Sequence, residues 1–236
     1  MAIHAFIDFD GTVSQQDVGD ELIRTFGAFE PLHSELLAGR MNVAEYYQRA
    51  VSTFTDQATP ESVEAFAGLQ QLDAGAKALI AWFASVDIPC AIVSDGFDTY
   101  ITPLMSQLGK GCNVPVFCNK LVWNGSAFTP LFPGATESCS CFCASCKRNA
   151  ILTNIAVDDI VIYIGDGRSD ACAVQHADVV FAKGTLAAYC TAQGIPYHHY
   201  RTLSDVLIIL QTTYKHLDFR PRRQAFLARK HAFEVE

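Results

Sequence analysis

Phe6-Ile7-Asp8-Phe9-Asp10-Gly11-Thr12-Val13 closes a short apolar run, Ile3 to Asp8, with two acids two residues apart and a glycine. The pattern returns twice. Ile88 to Val93 is apolar and rich in β-branched residues and ends at Ser94-Asp95-Gly96, and Asp159 to Ile164 ends at Gly165-Asp166-Gly167. A fourth apolar run spans Val179 to Phe181. Short apolar runs between turn residues read as strands buried on both faces. Helical spacing fills the intervals: Ala74 to Ser85 with Asp73 as N-cap, Phe97 to Leu108, Cys146 to Ile155, and Leu203 to Leu210. The alternation predicts an α/β fold, a Rossmann-like, doubly wound parallel sheet with right-handed crossovers. Ligands in such sheets bind beyond the carboxyl ends of the strands. Asp8, Asp10, Ser94, Asp95, Asp166 and Asp170 all fall at such ends.

Between the first two strands the periodicity is wholly helical. Val18, Leu22, Ile23 and Phe26 recur at helical spacing, as do Val43, Tyr46, Tyr47, Ala50, Val51 and Phe54, and Pro60 starts a third helix before Val63, Phe66 and Leu69. Residues 14–72 are therefore expected to form an inserted helical cap domain, with 1–13 and 73–236 as the core. Val114 to Trp123 reads as extended, and Asn124-Gly125 marks a turn before Ala127-Phe128-Thr129.

Composition bounds the function classes. The chain has 236 residues, 50% hydrophobic and 18% charged, with a formal net charge of −8. That is globular composition, which argues against collagenous, disordered and coiled-coil classes. An acidic chain is a poor partner for nucleic acid, whose binding rests on cationic contacts to phosphates. No apolar run approaches the roughly 18 residues of a membrane span, and the first residues do not read as a signal peptide. Nine cysteines without an export signal fit a cytoplasmic chain kept reduced. Monomer and homodimer are both compatible with the sequence.

The acids suggest their own chemistry. On an extended segment residues two apart share a face, and neighbouring carboxylates repel unless a cation or shared proton intervenes. Gly11 permits a sharp turn and a close ligand approach. Asp8, Asp10 and Asp166 without clustered histidines suit a hard cation, best Mg2+. Ser94 and a lysine would hold an anion, a set that fits phosphoryl transfer to an aspartate.

These segments resemble the four motifs of the haloacid dehalogenase superfamily phosphatases. Residues 6–13 match the first motif, Val93-Ser94-Asp95-Gly96 the second, Lys147 the third, and Gly165-Asp166-Gly167-Arg168-Ser169-Asp170 the fourth. The resemblance covers nearly the whole chain. It implies Asp8 as nucleophile and Asp10 as the acid that protonates the leaving alcohol. It implies Mg2+ on Asp8, the backbone carbonyl of Asp10, and Asp166, with Asp170 orienting the metal shell or Lys147. It also implies that Ser94 and Lys147 bind the phosphate, helped by backbone N–H groups near Gly11 and Gly96, with Asp95 and the cap residue Asp17 among the substrate contacts. Dehalogenases lack the second acid, so Asp10 favours a phosphatase or phosphomutase acting on a small phosphate ester.

The chain is most similar to the phosphoserine-phosphatase-like branch. There a cap glutamate and a cap arginine hold the amino acid. Here the glutamate position aligns with Asp17 and the arginine position with Ala50, so the carboxylate clamp is missing. Cys139-Ser-Cys141-Phe-Cys143-Ala-Ser-Cys146 before Lys147 resembles the methionine-salvage phosphatase acting on 2-hydroxy-3-keto-5-methylthiopentenyl-1-phosphate. Phosphoethanolamine/phosphocholine phosphatases carry a similar segment, and Ser94-Asp95 is similar to theirs. Phosphocholine, phosphoethanolamine and phosphoserine stay open as substrates. Zn2+ on Cys139, Cys141, Cys143 and Cys146 is a second metal reading, with free thiols as the plainer one, and a zinc-dependent binding module is the rival to an enzyme. His198-His199 reads as a surface or strand-end pair. The basic tail of Arg220, Arg222, Arg223, Arg229 and Lys230 reads as a solvated helix or an oligomer contact.

Overall fold

The computed structural model describes residues 1–109, 112–135 and 141–235. Its strands are β1 (Ile3–Ile7), β2 (Cys90–Phe97), β3 (Val116–Trp123), β4 (Phe128–Leu131), β5 (Ile160–Gly165), β6 (Val179–Ala182) and β7 (His198–His199). They form one seven-stranded sheet in the order β4-β3-β2-β1-β5-β6-β7. Every pairing is parallel except β3 with β4, an antiparallel edge hairpin turned at Asn124-Gly125. The sheet is thus mixed at one edge rather than parallel throughout. Only a chain that crosses over can add a parallel strand, whereas a short turn forces antiparallel pairing.

Side chains alternate across β1 and β5. Ala5, Ile7, Ile160, Ile162 and Ile164 belong to one buried cluster, and Phe6, Val161 and Tyr163 belong to the other. Helices α5 (Ala76–Ser85), α6 (Asp98–Gln107) and α10 (Leu203–Thr213) contribute to the first cluster. The second is covered by α7 (Lys147–Leu152), α8 (Ala171–Gln175) and α9 (Gly184–Gln193). Both faces are covered, which explains why these strands read as unbroken apolar runs rather than as alternation.

Four helices stand between β1 and α5: α1 (Val18–Phe26), α2 (Leu32–Leu37), α3 (Val43–Ser52) and α4 (Pro60–Gly68). Asp17 caps α1 by accepting from the Asp20 amide at 2.8 Å, and Asn42 caps α3 through the Glu45 amide at 2.8 Å. Thr59 and Ser62 cap α4 reciprocally, with Pro60 in its first turn. The segment leaves and returns at one place: Ser14 bridges Leu72, and the Asp73 amide donates to Val13 O at 2.8 Å. A small apolar cluster joins Ile23, Phe29, Leu36, Met41, Val43, Tyr46 and Ala50 to Ala144, while Val18, Leu22, Phe26 and Val63 pack into the first cluster of the core.

The tail departs from the sequence reading. Residues Arg223–Val235 form α11, and Arg229 within it is fully buried. Its guanidinium donates to the carbonyls of Val157, Asp159 and His176 and to the Asp178 carboxylate, at 2.6–3.3 Å. Arg222 likewise donates to the carbonyls of Val174, Gln175 and Ala177. A planar five-donor group can satisfy several loop carbonyls at once, so part of the basic tail is a clamp on the core rather than a solvated face.

Candidate active site

The site forms where the central strand ends. Ile7 pairs with Ile92 on one side and Ile164 on the other, and the Asp8 amide donates to Ile164 O at 2.9 Å. The chain then swings through a wide turn over Phe9–Val13. Asp10 therefore sits in a turn, not on a strand, and the expected shared face with Asp8 does not arise. The Asp8 carboxylate faces Lys147, Asp166 and Asp170. The Asp10 carboxylate faces the helices, accepting from the Val18 amide at 3.0 Å, Tyr100 Oη at 2.8 Å and Ser94 Oγ at 3.3 Å. Gly11 has φ +70°, and a Cβ there would lie 2.5 Å from Asp166 Oδ2, so only glycine lets the turn reach that carboxylate.

Lys147 opens α7 and is buried. Its three protons go to Asp8 Oδ1 at 2.6 Å, Asp170 Oδ1 at 2.6 Å and Ser169 Oγ at 2.9 Å. Burial alone would lower the ammonium's pKa, but Asp170 and Asp8 outweigh it and hold it above the usual lysine range. Asp8 also accepts from the Phe9 amide at 2.8 Å. Burial, then the charge of Asp170, pushes the Asp8 carboxyl well above its ordinary value despite the lysine.

Asp170 is fully buried and its acceptor sites are filled. Oδ1 takes Lys147 and Tyr163 Oη at 2.6 Å, and Oδ2 takes the amides of Asp166 and Gly167 at 3.0 and 2.9 Å. It thereby shapes the turn that presents Asp166. The Asp166 carboxylate accepts from Thr12 Oγ1 at 2.9 Å, and burial followed by Asp170 raises its pKa. Oxygen atoms of Asp8, Asp166 and Asp170 all lie within 4.8 Å of one another, the one metal-ligating group of this kind among the described residues. With Asp170 filled by its own partners, Asp8 and Asp166 are the hard oxygen donors on offer, and without sulfur or imidazole they fit Mg2+.

Ser94 is buried, bonded to Asp10 and to the Gly96 amide at 2.9 Å. Gly96 lies where a Cβ would collide with Tyr100 Oη. Asp95 Oδ1 accepts from the amides of Ala144 and Ser145, both at 2.7 Å, and from Asn119 Nδ2 at 3.2 Å. It ties down the cysteine-bearing segment just before Lys147. Cys139 lies outside the described residues. Cys141, Cys143 and Cys146 form no metal-ligating group among those described, and Cys146 caps α7 through the Asn149 amide.

Above these residues lies a cavity of about 380 Å³ between the core and α1–α3. Asp17 and Asp20 line it, with Tyr46, Tyr47 and Phe142. Burial raises Asp10 and Asp17 to about 7 and Asp20 to about 6. Neither lysine nor arginine from α1–α3 lines the cavity. Ala50 is fully buried, and Arg49 turns outward to Glu35 and Glu45. The sequence reading missed Thr12, Tyr100, Tyr163 and Ser169 as partners of the acids. Thr12 and Ser169 stand inside the quoted motifs, whereas the two tyrosines lie within the apolar helix and strand patterns, where nothing singles them out.

Residues 5–175 match the family described as haloacid dehalogenase-like hydrolase. Two curated relatives are each named 2-hydroxy-3-keto-5-methylthiopentenyl-1-phosphate phosphatase. That of Geobacillus kaustophilus (strain HTA426) is 28% identical over 209 residues, 87% of this chain and 94% of the relative. That of Exiguobacterium sibiricum is 28% identical over 217 residues, 90% and 98%. Among solved structures, a substrate-bound phosphoserine phosphatase superposes with a TM-score of 0.67 at 22% identity, covering 88% of this chain and 98% of that one. Phosphoserine phosphatase from T. onnurineus gives 0.67 at 16%, covering 90% and 96%. At these identities the structural likeness speaks for the fold.

Proposed function

This chain belongs to the haloacid dehalogenase-like hydrolases, and we propose that within them it is a Mg2+-dependent phosphomonoesterase working through an aspartyl-phosphate on Asp8. The observation that carries the reading is the separation of two acids two residues apart. Asp8 is paired with a buried lysine, while Asp10, raised to about 7, is turned toward the cavity's cap side.

In this reading Asp8 attacks the phosphorus, forming an O–P bond as the ester P–O bond breaks. Asp10 gives its proton to the departing alkoxide, then takes one from the water that hydrolyses the acyl phosphate. Lys147 orients Asp8 and favours its ionised form against the burial that opposes it, and its charge offsets that of the phosphoryl oxygens. Asp8 and Asp166 would hold Mg2+, with Asp170 supporting both the turn and Lys147. Bound Mg2+ supplies positive charge against the phosphoryl oxygens. Ser94 orients Asp10, while the Gly11 and Gly96 amides donate within their own turns, to Gln16 O and to Ser94 Oγ. Residues 14–72 serve as a cap domain over the site.

The substrate we propose is 2-hydroxy-3-keto-5-methylthiopentenyl-1-phosphate, on two supports: the names of the relatives, and a cavity without the cap arginine a carboxylate would need. The acidic lining of Asp17 and Asp20 favours a second reading, a cationic leaving group such as that of phosphoethanolamine or phosphocholine. Phosphate release from these esters and phosphoserine, with Mg2+ or EDTA, tests both. Release from the enol phosphate is expected, lost with EDTA and reduced at least about a thousandfold in Asp8→Asn. Preference for phosphoserine would overturn the substrate, and release surviving Asp8→Asn would overturn the mechanism.

A further inference from the structure

Two residues that line the cavity from the cap side carry polar atoms that the phosphoryl chemistry does not use. Tyr46 on α3 is 2% exposed, yet its hydroxyl is buried without a hydrogen-bond partner among the described residues. Nδ1 of His33 on α2 is also buried and unpartnered; its nearest acid, Asp20 Oδ1 at 3.9 Å, is beyond hydrogen-bond reach. The two rings meet edge to face, with centroids 6.2 Å apart, and both residues line the cavity that also holds Asp8 and Asp10.

Neither atom helps the fold. The Tyr46 ring is already packed in the cluster with Ile23, Phe29 and Leu36, so a phenylalanine would pack as well and spare the hydroxyl its desolvation. The His33 ring stacks on Phe29 with centroids 4.3 Å apart, a contact any flat ring would make. Burial also holds His33 below its ordinary pKa, which favours the neutral ring with one donor and one acceptor nitrogen.

We propose that Tyr46 Oη and His33 Nδ1 are the specificity-determining pair of this site, hydrogen-bonding the hydroxyl or carbonyl oxygens of an uncharged leaving group. The inference rests on the phosphatase reading and deepens it by naming the leaving-group class. A carboxylate is disfavoured by Asp17 and Asp20, which line the same cavity and outnumber its one arginine, Arg168. An ammonium has no acceptor atom and would leave the Tyr46 proton unanswered. Leu36, Leu37, Val43 and Phe142 suit an apolar remainder of the chain.

The test uses two simple esters, dihydroxyacetone phosphate and propyl phosphate, which share the phosphate and differ in the oxygens of the leaving group. Their dissociation constants are measured by calorimetry in Asp8→Asn, so that binding is read without turnover. Contributions from phosphate and metal cancel in the ratio. Asp8→Asn is expected to prefer dihydroxyacetone phosphate by about tenfold or more, and the preference should fall to within about threefold when Tyr46→Phe is added. His33→Phe, which keeps the stack on Phe29, should also reduce it. No preference at the start, a preference that survives both substitutions, or an equal loss of affinity for both esters would each overturn the proposal. So would tighter binding of phosphoethanolamine than of either ester. Phosphate release by the unsubstituted protein is scored separately: its absence would count against the phosphatase reading and leave the affinity ratio readable.

Discussion

Lys147 shows how much one residue carries. Its three protons are shared among Asp8, Asp170 and Ser169, and the side chain is buried. Lys147→Met should leave two buried carboxylates without their cation, at a cost of about 3–5 kcal/mol. A fall in Tm and a loss of kcat of about a hundredfold or more are expected together. Asp20 works in the opposite sense. Burial raises its carboxyl from the ordinary 3.8 to about 6. A carboxyl raised on folding contributes stability below its unfolded value, and that contribution disappears as pH rises through the folded one. Asp20→Asn should therefore raise Tm by about 2–5 °C at pH 8 and leave it unchanged at pH 4. Thermal melts at both pH values check the sign.

At the scale of elements, the site depends on how strand ends are tied to one another. Asp95, at the carboxyl end of β2, holds the Ala144 and Ser145 amides and so sets where α7 begins and where Lys147 points. Asp95→Ala should expose those two amides to faster hydrogen exchange and lower kcat/KM by about tenfold. Unchanged exchange at 144 and 145 would count against the tether. Asp170 does the same for the turn after β5, and Arg229 for the loops beneath α8. The strand and helix pattern that holds these elements was legible from periodicity. The tethers were not: the partners of Asp95 and Arg229 lie 24 to 72 residues away, and nothing in a local window marks which carbonyl or amide a side chain will meet.

For the whole molecule, the juxtaposition of Asp8, Asp166 and Asp170 makes this hydrolase hold repelling carboxylates at one end of its sheet. Mg2+ should relieve that repulsion. At a concentration one hundred times its dissociation constant it should add about 2.7 kcal/mol to stability, read as a rise in Tm that EDTA reverses and Asp166→Asn abolishes. By itself the sequence determined the alternation of buried strands and helices, the placement of Asp8 and Asp166 just past strand ends, and the helical insert between Val13 and Asp73. These follow from local periodicity and turn chemistry, which act over a few residues. Only the tertiary structure decided that Asp8 and Asp10 point apart, that Arg229 is buried, and that Tyr46 Oη and His33 Nδ1 find no hydrogen-bond partner among the described residues. Those outcomes depend on which distant groups share a buried volume. Desolvation there makes each unmade hydrogen bond costly, and this rewards arrangements that no short stretch of chain encodes.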